Sequence, residues 1–268
     1  MGELFNTILV NPITNILLFF NYIFETIRLP GAFGFSIIAL TAFIRLLFHP
    51  FYKKQIDMTT KMAELKPEMD RLSKKYKNDK QRLQQEQLKL YQQKGINPAA
   101  GCLTALLQIP IFLALYQVLQ KFLQNNLQTI MNQVNLSAYV DFIRVKVIDT
   151  NFFIYDLRIA PSHFKENGYH YLIIPIITAF LQYYQTKLQT PAAAPKRDVQ
   201  KDNKDGKKGS EDMQQIMSGQ MKVMFPLMIG YFSYILPVGL ALYWNIFSLF
   251  SIVQIKLPLW RKKRALKN

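Results

Sequence analysis

Arg45 is the residue with the most chemistry to offer in this 268-residue chain. It lies six residues before Phe51, near the end of an apolar stretch that begins at Gly31. If that stretch crosses a membrane as a helix, a rise of about 1.5 Å per residue puts the guanidinium about 9 Å inside the end of the span. A guanidinium at that depth costs on the order of 3 kcal/mol, so it faces a partner or a water-filled cavity, or else snorkels to the headgroups. The other apolar stretches supply uncharged polar groups: Gln108 and Gln117, then Gln182 and Gln185, then Trp244, Asn245 and Ser248. None of them carries Asp or Glu. Each amide taken alone is ordinarily a helix–helix hydrogen bond. A fixed cation with no counter-charge in its own chain, however, predicts a polar recess that receives an acidic visitor.

Catalytic chemistry finds no footing. Cys102 is the sole cysteine and sits in an apolar run, which leaves no disulfide framework and no thiolate metal site. His49, His163 and His170 fall in three separate segments, none at the spacing of a zinc-binding helix. There is no G-x-x-x-x-G-K-[ST] phosphate loop, no G-x-S-x-G and no paired intramembrane Asp. The residues predict no enzyme, no metal and no cofactor.

The elements that must position these groups follow from charge and hydropathy. A net charge of +16 on a chain that is 50% hydrophobic is a conflict for a soluble protein. The distribution resolves it. Val223–Ile255 is 33 residues without a charge and Ala99–Leu119 is 21 more, and runs longer than about 18 are membrane-span candidates. As one helix the longer run would measure roughly 50 Å, more than a bilayer core of about 30 Å, and Pro237-Val238-Gly239 divides it. Hydropathy therefore predicts an all-α polytopic membrane protein with five transmembrane helices, at 30–51, 99–122, 169–187, 218–236 and 238–256. Lys and Arg number one in 1–29, twelve in 52–98, four in 123–168, eight in 187–222 and six in 256–268. With the N-terminus outside and the C-terminus cytoplasmic, 26 lie inside and five outside, as the positive-inside rule requires. The basic charge is then a topology signal and not a nucleic-acid footprint. The first residues lack the basic region of a secretory signal.

The remaining segments are read as follows. Residues 1–29 form an interfacial amphipathic helix on the outer side, because Asn11, Asn15, Asn21, Tyr22 and Glu25 recur at roughly helical spacing; a sixth span is the alternative. Residues 52–98 form a cytoplasmic antiparallel helical hairpin. Met58, Met62, Leu65, Met69, Leu72 and Tyr76 make its seam, and Pro67 kinks its first helix. The outer loop 123–168 carries short amphipathic helices, and 188–217 is a disordered cytoplasmic loop. In the basic tail 257–268, Arg261, Lys262, Lys263 and Arg264 beside Trp260 suit anionic lipid or the RNA-rich ribosome.

Several stretches carry a resemblance to a known family. They are Gly34-Phe35-Ser36-Ile37-Ile38 leading to Arg45 and Pro50, Leu65-Lys66-Pro67, Asn97-Pro98 with Gly101-Cys102, and Gln108-Ile109-Pro110-Ile111-Phe112-Leu113-Ala114-Leu115-Tyr116. Phe153-Ile154-Tyr155-Asp156-Leu157, Pro175, Phe225-Pro226, Pro237-Val238-Gly239-Leu240 and Tyr243-Trp244 follow in order. Over about residues 30 to 260 the chain resembles the YidC/Oxa/Alb family of membrane protein insertases. The resemblance implies a bacterial inner-membrane protein whose five helices surround a hydrophilic groove open to the cytoplasm. It implies that Arg45 is the groove charge, attracting acidic segments of nascent integral membrane proteins. In this comparison Gln108, Gln182, Gln185, Trp244, Asn245 and Ser248 line the groove. Phe112, Leu113, Tyr116, Met224, Phe225 and Phe232 form the apolar slide along which a substrate helix leaves. The implied partners are the substrates, the Sec translocon and the ribosome, and the activity is insertion and assisted folding, alone or with Sec.

Rival readings are weaker on the residues. A small-solute transporter predicts inverted repeats and paired broken helices, and the spans here differ in length and composition. A partner-dependent scaffold has no use for an unpaired intramembrane arginine.

Overall fold

The structure, a computed structural model, describes residues 2–77, 79–95, 99–123, 132, 134–145, 148–189 and 210–265. For 99–108, 210–222 and 258–265 it gives the path of the helix only. The expected disordered loop falls mostly on 190–209, outside the described residues, and so do the side chains of Gln108, Arg261, Lys262, Lys263 and Arg264.

The chain begins with α1, a helical run from Gly2 to Thr26. Within it Asn6–Val10 is a π turn directly before Pro12. Proline has no N–H to return to the preceding turn, and the widened turn accommodates that loss. A tight link with Arg28 and Gly31 at positive φ leads into α2, Ala32–Leu47. The axis then bends by 67° into α3, His49–Glu64. Pro50, in the first turn of α3, cannot continue the hydrogen-bond ladder of α2, which ends the helix there. Next come α4, Lys66–Lys75, and α5, Lys80–Gln93, the latter capped by Asp79, whose side chain accepts from the Arg82 amide at 2.9 Å. Pro67 opens α4 after a break at Leu65 instead of kinking one continuous helix. The hairpin folds back on Leu65 and Leu90, with Met58, Met62, Met69, Leu72 and Tyr91 around them, and Lys94 pairs with Glu68 at 3.1 Å.

The remaining helices are α6, Ala99–Leu123, α7, Ile173–Gln189, α8, Ser210–Ile235, and α9, Val238–Ala265. Helix α7 packs against both α8 and α9, and α9 also packs against α2. Helices thus occupy all five expected positions, though α8 begins at Ser210 and not at 218. By length and composition, two helices among the described residues can cross a membrane, Gly2–Thr26 and Val238–Leu257, and the bent α2–α3 pair makes a third if it is one span. The main core gathers Leu17, Phe33, Ile37, Leu40, Leu115, Leu119, Phe122, Leu157 and Tyr243.

Of the residues that suggested an outward polar face on α1, Tyr22 and Glu25 are exposed and Asn11 is half-buried, while two asparagines turn inward. Asn15 and Asn21 are buried. The Asn15 amide donates to the Ser137 carbonyl at 2.8 Å and its oxygen accepts from the Tyr139 amide at 2.6 Å, stitching α1 to the loop after α6. Part of that loop lies outside the described residues. The described part contains the 3₁₀ turns Asp141–Ile143 and Pro161–His163, a helical turn Phe164–Asn167, and a small antiparallel hairpin of β1, Asn151–Phe152, and β2, Tyr155–Asp156. Its Leu157 and Ile159 carbonyls accept from the Gly239 and Val238 amides at 2.9 and 3.0 Å, supplying partners that the first turn of α9 lacks.

Asp156 ties the loop together. It accepts from both guanidinium and amide of Arg158, at 2.7 to 3.2 Å, and from the Thr150 hydroxyl at 2.9 Å. Burial alone would raise this carboxyl; the hydrogen bonds from Arg158 and Thr150 outweigh it and hold the group below the usual carboxylate range. A carboxylate depressed on folding stabilises above its unfolded pKa of about 4 and loses that contribution as pH falls through its folded value. Asp156→Asn should therefore lower the thermal midpoint of the detergent-solubilised protein at pH 7, by the equivalent of about 1 kcal/mol, and the gap from the parent should close in acid. A gap that persists unchanged to pH 2 would contradict this account.

Candidate functional site

Arg45 lies on the last turn of α2 and is enclosed, with 2% of its surface exposed. Its Nη1 donates to the Gln254 side-chain oxygen at 3.0 Å and its Nη2 to the Phe247 carbonyl at 2.9 Å, both on α9. The guanidinium carbon lies 3.7 Å from the centre of the Phe247 ring and 4.3 Å from that of Tyr52. Tyr52 reaches it because the bend after Leu47 swings the first turns of α3 back over the end of α2. Nε has no partner. Among the described residues no carboxylate pairs with Arg45. The arginine is held by a neutral amide, a carbonyl and two aromatic faces.

A second polar cluster joins α7 to α9. Gln182 is buried, and its oxygen accepts from Trp244 Nε1 at 3.1 Å and from the Ser248 hydroxyl at 3.4 Å, while its nitrogen donates to the Thr186 hydroxyl at 3.4 Å. Gln189 donates to Ser251 at 2.8 Å, and Thr178 pairs with Ser233 of α8 at 3.1 Å. The α7 members Thr178, Gln182, Gln185 and Gln189 step by 4, 3 and 4, one face of a helix. On α9, Trp244, Ser248 and Ser251 form one stripe, and Phe247 with Gln254 form another about 80° around the helix, at about 100° per residue. One helix thereby serves the arginine on one side and the amide seam on the other.

Of the expected groove residues, Gln182, Trp244 and Ser248 meet directly. Gln185 and Asn245 stand apart from that bond network, each with a buried side-chain oxygen lacking a partner. Such oxygens are costly in an apolar interior. Among the residues expected to form the apolar slide, Phe112 packs against Trp244 and Tyr116, at ring separations of 4.9 and 6.3 Å. Leu113, Met224, Phe225 and Phe232 are exposed, together with Ile109, Leu227, Met228 and Tyr231. Both α6 and α8 thus present large apolar side chains outward. Sequence reasoning missed Gln254, Phe247, Tyr52, Gln189 and Ser251. The spacing of Trp244, Ser248 and Ser251 was a usable signal; the partnership of Arg45 with a backbone carbonyl had none.

The seam is open to a direct test. Gln182→Leu strands the Trp244 and Ser248 donors, and interhelical hydrogen bonds of this kind contribute about 1–2 kcal/mol. The variant should unfold at a lower detergent or thermal midpoint than the parent. An unchanged midpoint would mean that the seam is structurally idle.

Comparison with known proteins places this geometry in context. The family model described as 60Kd inner membrane protein matches residues 25–263. A membrane protein insertase YidC of Oceanobacillus iheyensis is 31% identical, over 97% of this chain and 86% of the relative. One of the same description from Pseudoalteromonas atlantica is 32% identical, over 89% of this chain but 35% of the relative, so the chain spans about a third of that longer protein. A solved structure described as an active YidC insertase with its first transmembrane domain resolved aligns over 92% of this chain and 45% of that one, at 26% identity and a TM-score of 0.49.

Proposed function

This chain belongs to the 60 kDa inner membrane protein family, and on that footing we infer that it is a membrane protein insertase that inserts integral membrane proteins and helps them fold. The observation that carries the reading is Arg45, a permanent charge 2% exposed and satisfied only by neutral acceptors. A carboxylate binds a guanidinium more strongly than an amide oxygen does. An acidic substrate segment therefore has a reason to displace Gln254 and the Phe247 carbonyl, while a neutral segment has none. The displaced contacts re-form on release, which keeps the host transient.

In this reading α2, α6, α7, α8 and α9 span the cell membrane, with the loop after α6 outside and the α3–α5 hairpin and C-terminus in the cytoplasm. Arg45, Gln182, Gln185, Trp244, Asn245 and Ser248 receive the polar segment, with Gln108 as a further lining residue. Phe112, Leu113, Tyr116, Met224, Phe225 and Phe232 lead the substrate's apolar helix into lipid. Arg261, Lys262, Lys263 and Arg264 meet anionic lipid or the ribosome, and the Sec translocon is a partner for longer substrates. The driving force is the partitioning of the substrate helix, helped by the membrane potential at about 2.3 kcal/mol per charge per 100 mV for acidic tails moving outward.

The test is insertion of a small membrane protein with an acidic outer tail into proteoliposomes, read by protease protection of the tail. The parent should insert it. Arg45→Ala should lose at least about tenfold, the effect of about 1.4 kcal/mol, and a substrate with a neutral tail should be far less affected. No insertion by a folded parent would overturn the insertase reading for the chain alone. Equal insertion by parent and variant would remove Arg45 from the mechanism.

A further inference from the structure

The two residues that turn β1 into β2 carry no part of the mechanism above. Phe152 and Phe153 are neighbours in the chain with rings 4.7 Å apart, yet they differ in what covers them. Phe152 packs into a slot over Gly31 and Gly34 at the start of α2, where a side chain at position 34 would overlap its ring. Phe153 is at φ +55°, a conformation that favours glycine, and it is 81% exposed; Ile154 beside it is 68% exposed. A bulky apolar pair held outward on a strained turn is unfavourable in water on two counts, backbone and surface.

The tip does not stand alone. Ring by ring it continues an aromatic strip along α1 and α2. Phe43 to Phe20, Phe20 to Phe24, Phe24 to Phe35 and Phe35 to Phe153 are separated by 6.3, 6.4, 6.3 and 6.2 Å. The lower part of that strip is on the outside of the helices, where Phe43 and Phe19 are exposed. The tip is level with the helix ends: Phe152 touches the start of α2, the Tyr171 hydroxyl just before α7 accepts from the Asp156 amide at 2.9 Å, and Leu157 receives the Gly239 amide of α9. From Asn151 to Tyr155 there is no charged side chain, and the nearest acid, Asp156, is taken by Arg158.

We propose that the Phe153-Ile154 tip is a lipid anchor, seated at the boundary between headgroups and acyl chains of the leaflet at the Gly31 end, which is the outer leaflet in the orientation proposed above. Apolar and aromatic side chains level with helix ends partition to that boundary, and the aromatic strip makes the tip continuous with the lipid-facing surface below it. The contact is apolar, so it does not depend on anionic lipid. Its role is to hold the loop that caps α9 at a fixed depth, which fixes the end of the helix that carries Gln254 and Trp244.

The experiment places an environment-sensitive NBD label at Ile154→Cys in a Cys102→Ser chain reconstituted in phosphatidylcholine vesicles, with Glu166→Cys on the same loop as the water-exposed reference. The 154 label should emit to the blue of the 166 label. It should lose more than half of its intensity when the lipids carry a nitroxide at carbon 5 of the acyl chain, and it should resist iodide in the water. Adding anionic lipid should change none of this. Water-like emission quenched by iodide would overturn the proposal. So would blue emission that the nitroxide lipid leaves untouched, because the cover would then be protein. Repeating the measurement at Phe153→Cys excludes a label that merely distorts the turn, and neither readout depends on insertase activity.

Discussion

A guanidinium enclosed by apolar helices has to find acceptors inside the protein, because none exist in hydrocarbon and the bare cation is too costly to bury. Much of this architecture follows from that requirement at Arg45. Helix α9 supplies an amide oxygen at Gln254 and, seven residues earlier, the Phe247 carbonyl on the same side. Helix α2 stops at Leu47, and the chain bends by 67° so that Tyr52 closes over the charge. Pro50 enforces the stop. The close packing of α9 on α2 is the tertiary expression of the same need.

The partners chosen are all neutral, and that choice sets the chemistry. A salt bridge to a resident acid would hold the arginine too firmly to be exchanged and would leave a stranded buried charge when broken. An amide, a carbonyl and two ring faces can be given up and regained. The seam between α7 and α9 works on the same principle with weaker groups: Gln182 gathers Trp244, Ser248 and Thr186. Gln185 and Asn245 keep unsatisfied oxygens beside it.

The opposite end of the molecule is organised by backbone and aromatic contacts instead. In the loop after α6, carbonyls cap α9, Asp156 is satisfied by Arg158, and rings extend the surface of α1 and α2. The end that carries the arginine is held by side-chain hydrogen bonds and ring contacts, and the end that carries the loop by backbone bonds and packed rings.

The sequence by itself determined the helical class, the hairpin with its Met and Leu seam, and Arg45 as a charge set in an apolar stretch, because hydropathy, heptad spacing and an isolated charge are local properties of the chain. It also marked Gln182, Trp244 and Ser248 as polar groups in apolar surroundings. On α1 it did not show that Asn15 and Asn21 turn inward, Asn15 stitching to Ser137 and Tyr139 far along the chain. Only the tertiary structure decided what holds Arg45, since Gln254 is an unremarkable glutamine until α9 packs on α2, and the Phe247 carbonyl is a backbone group that every residue possesses. Periodicity shows which side of a helix is polar; which distant helix meets that side is settled by packing.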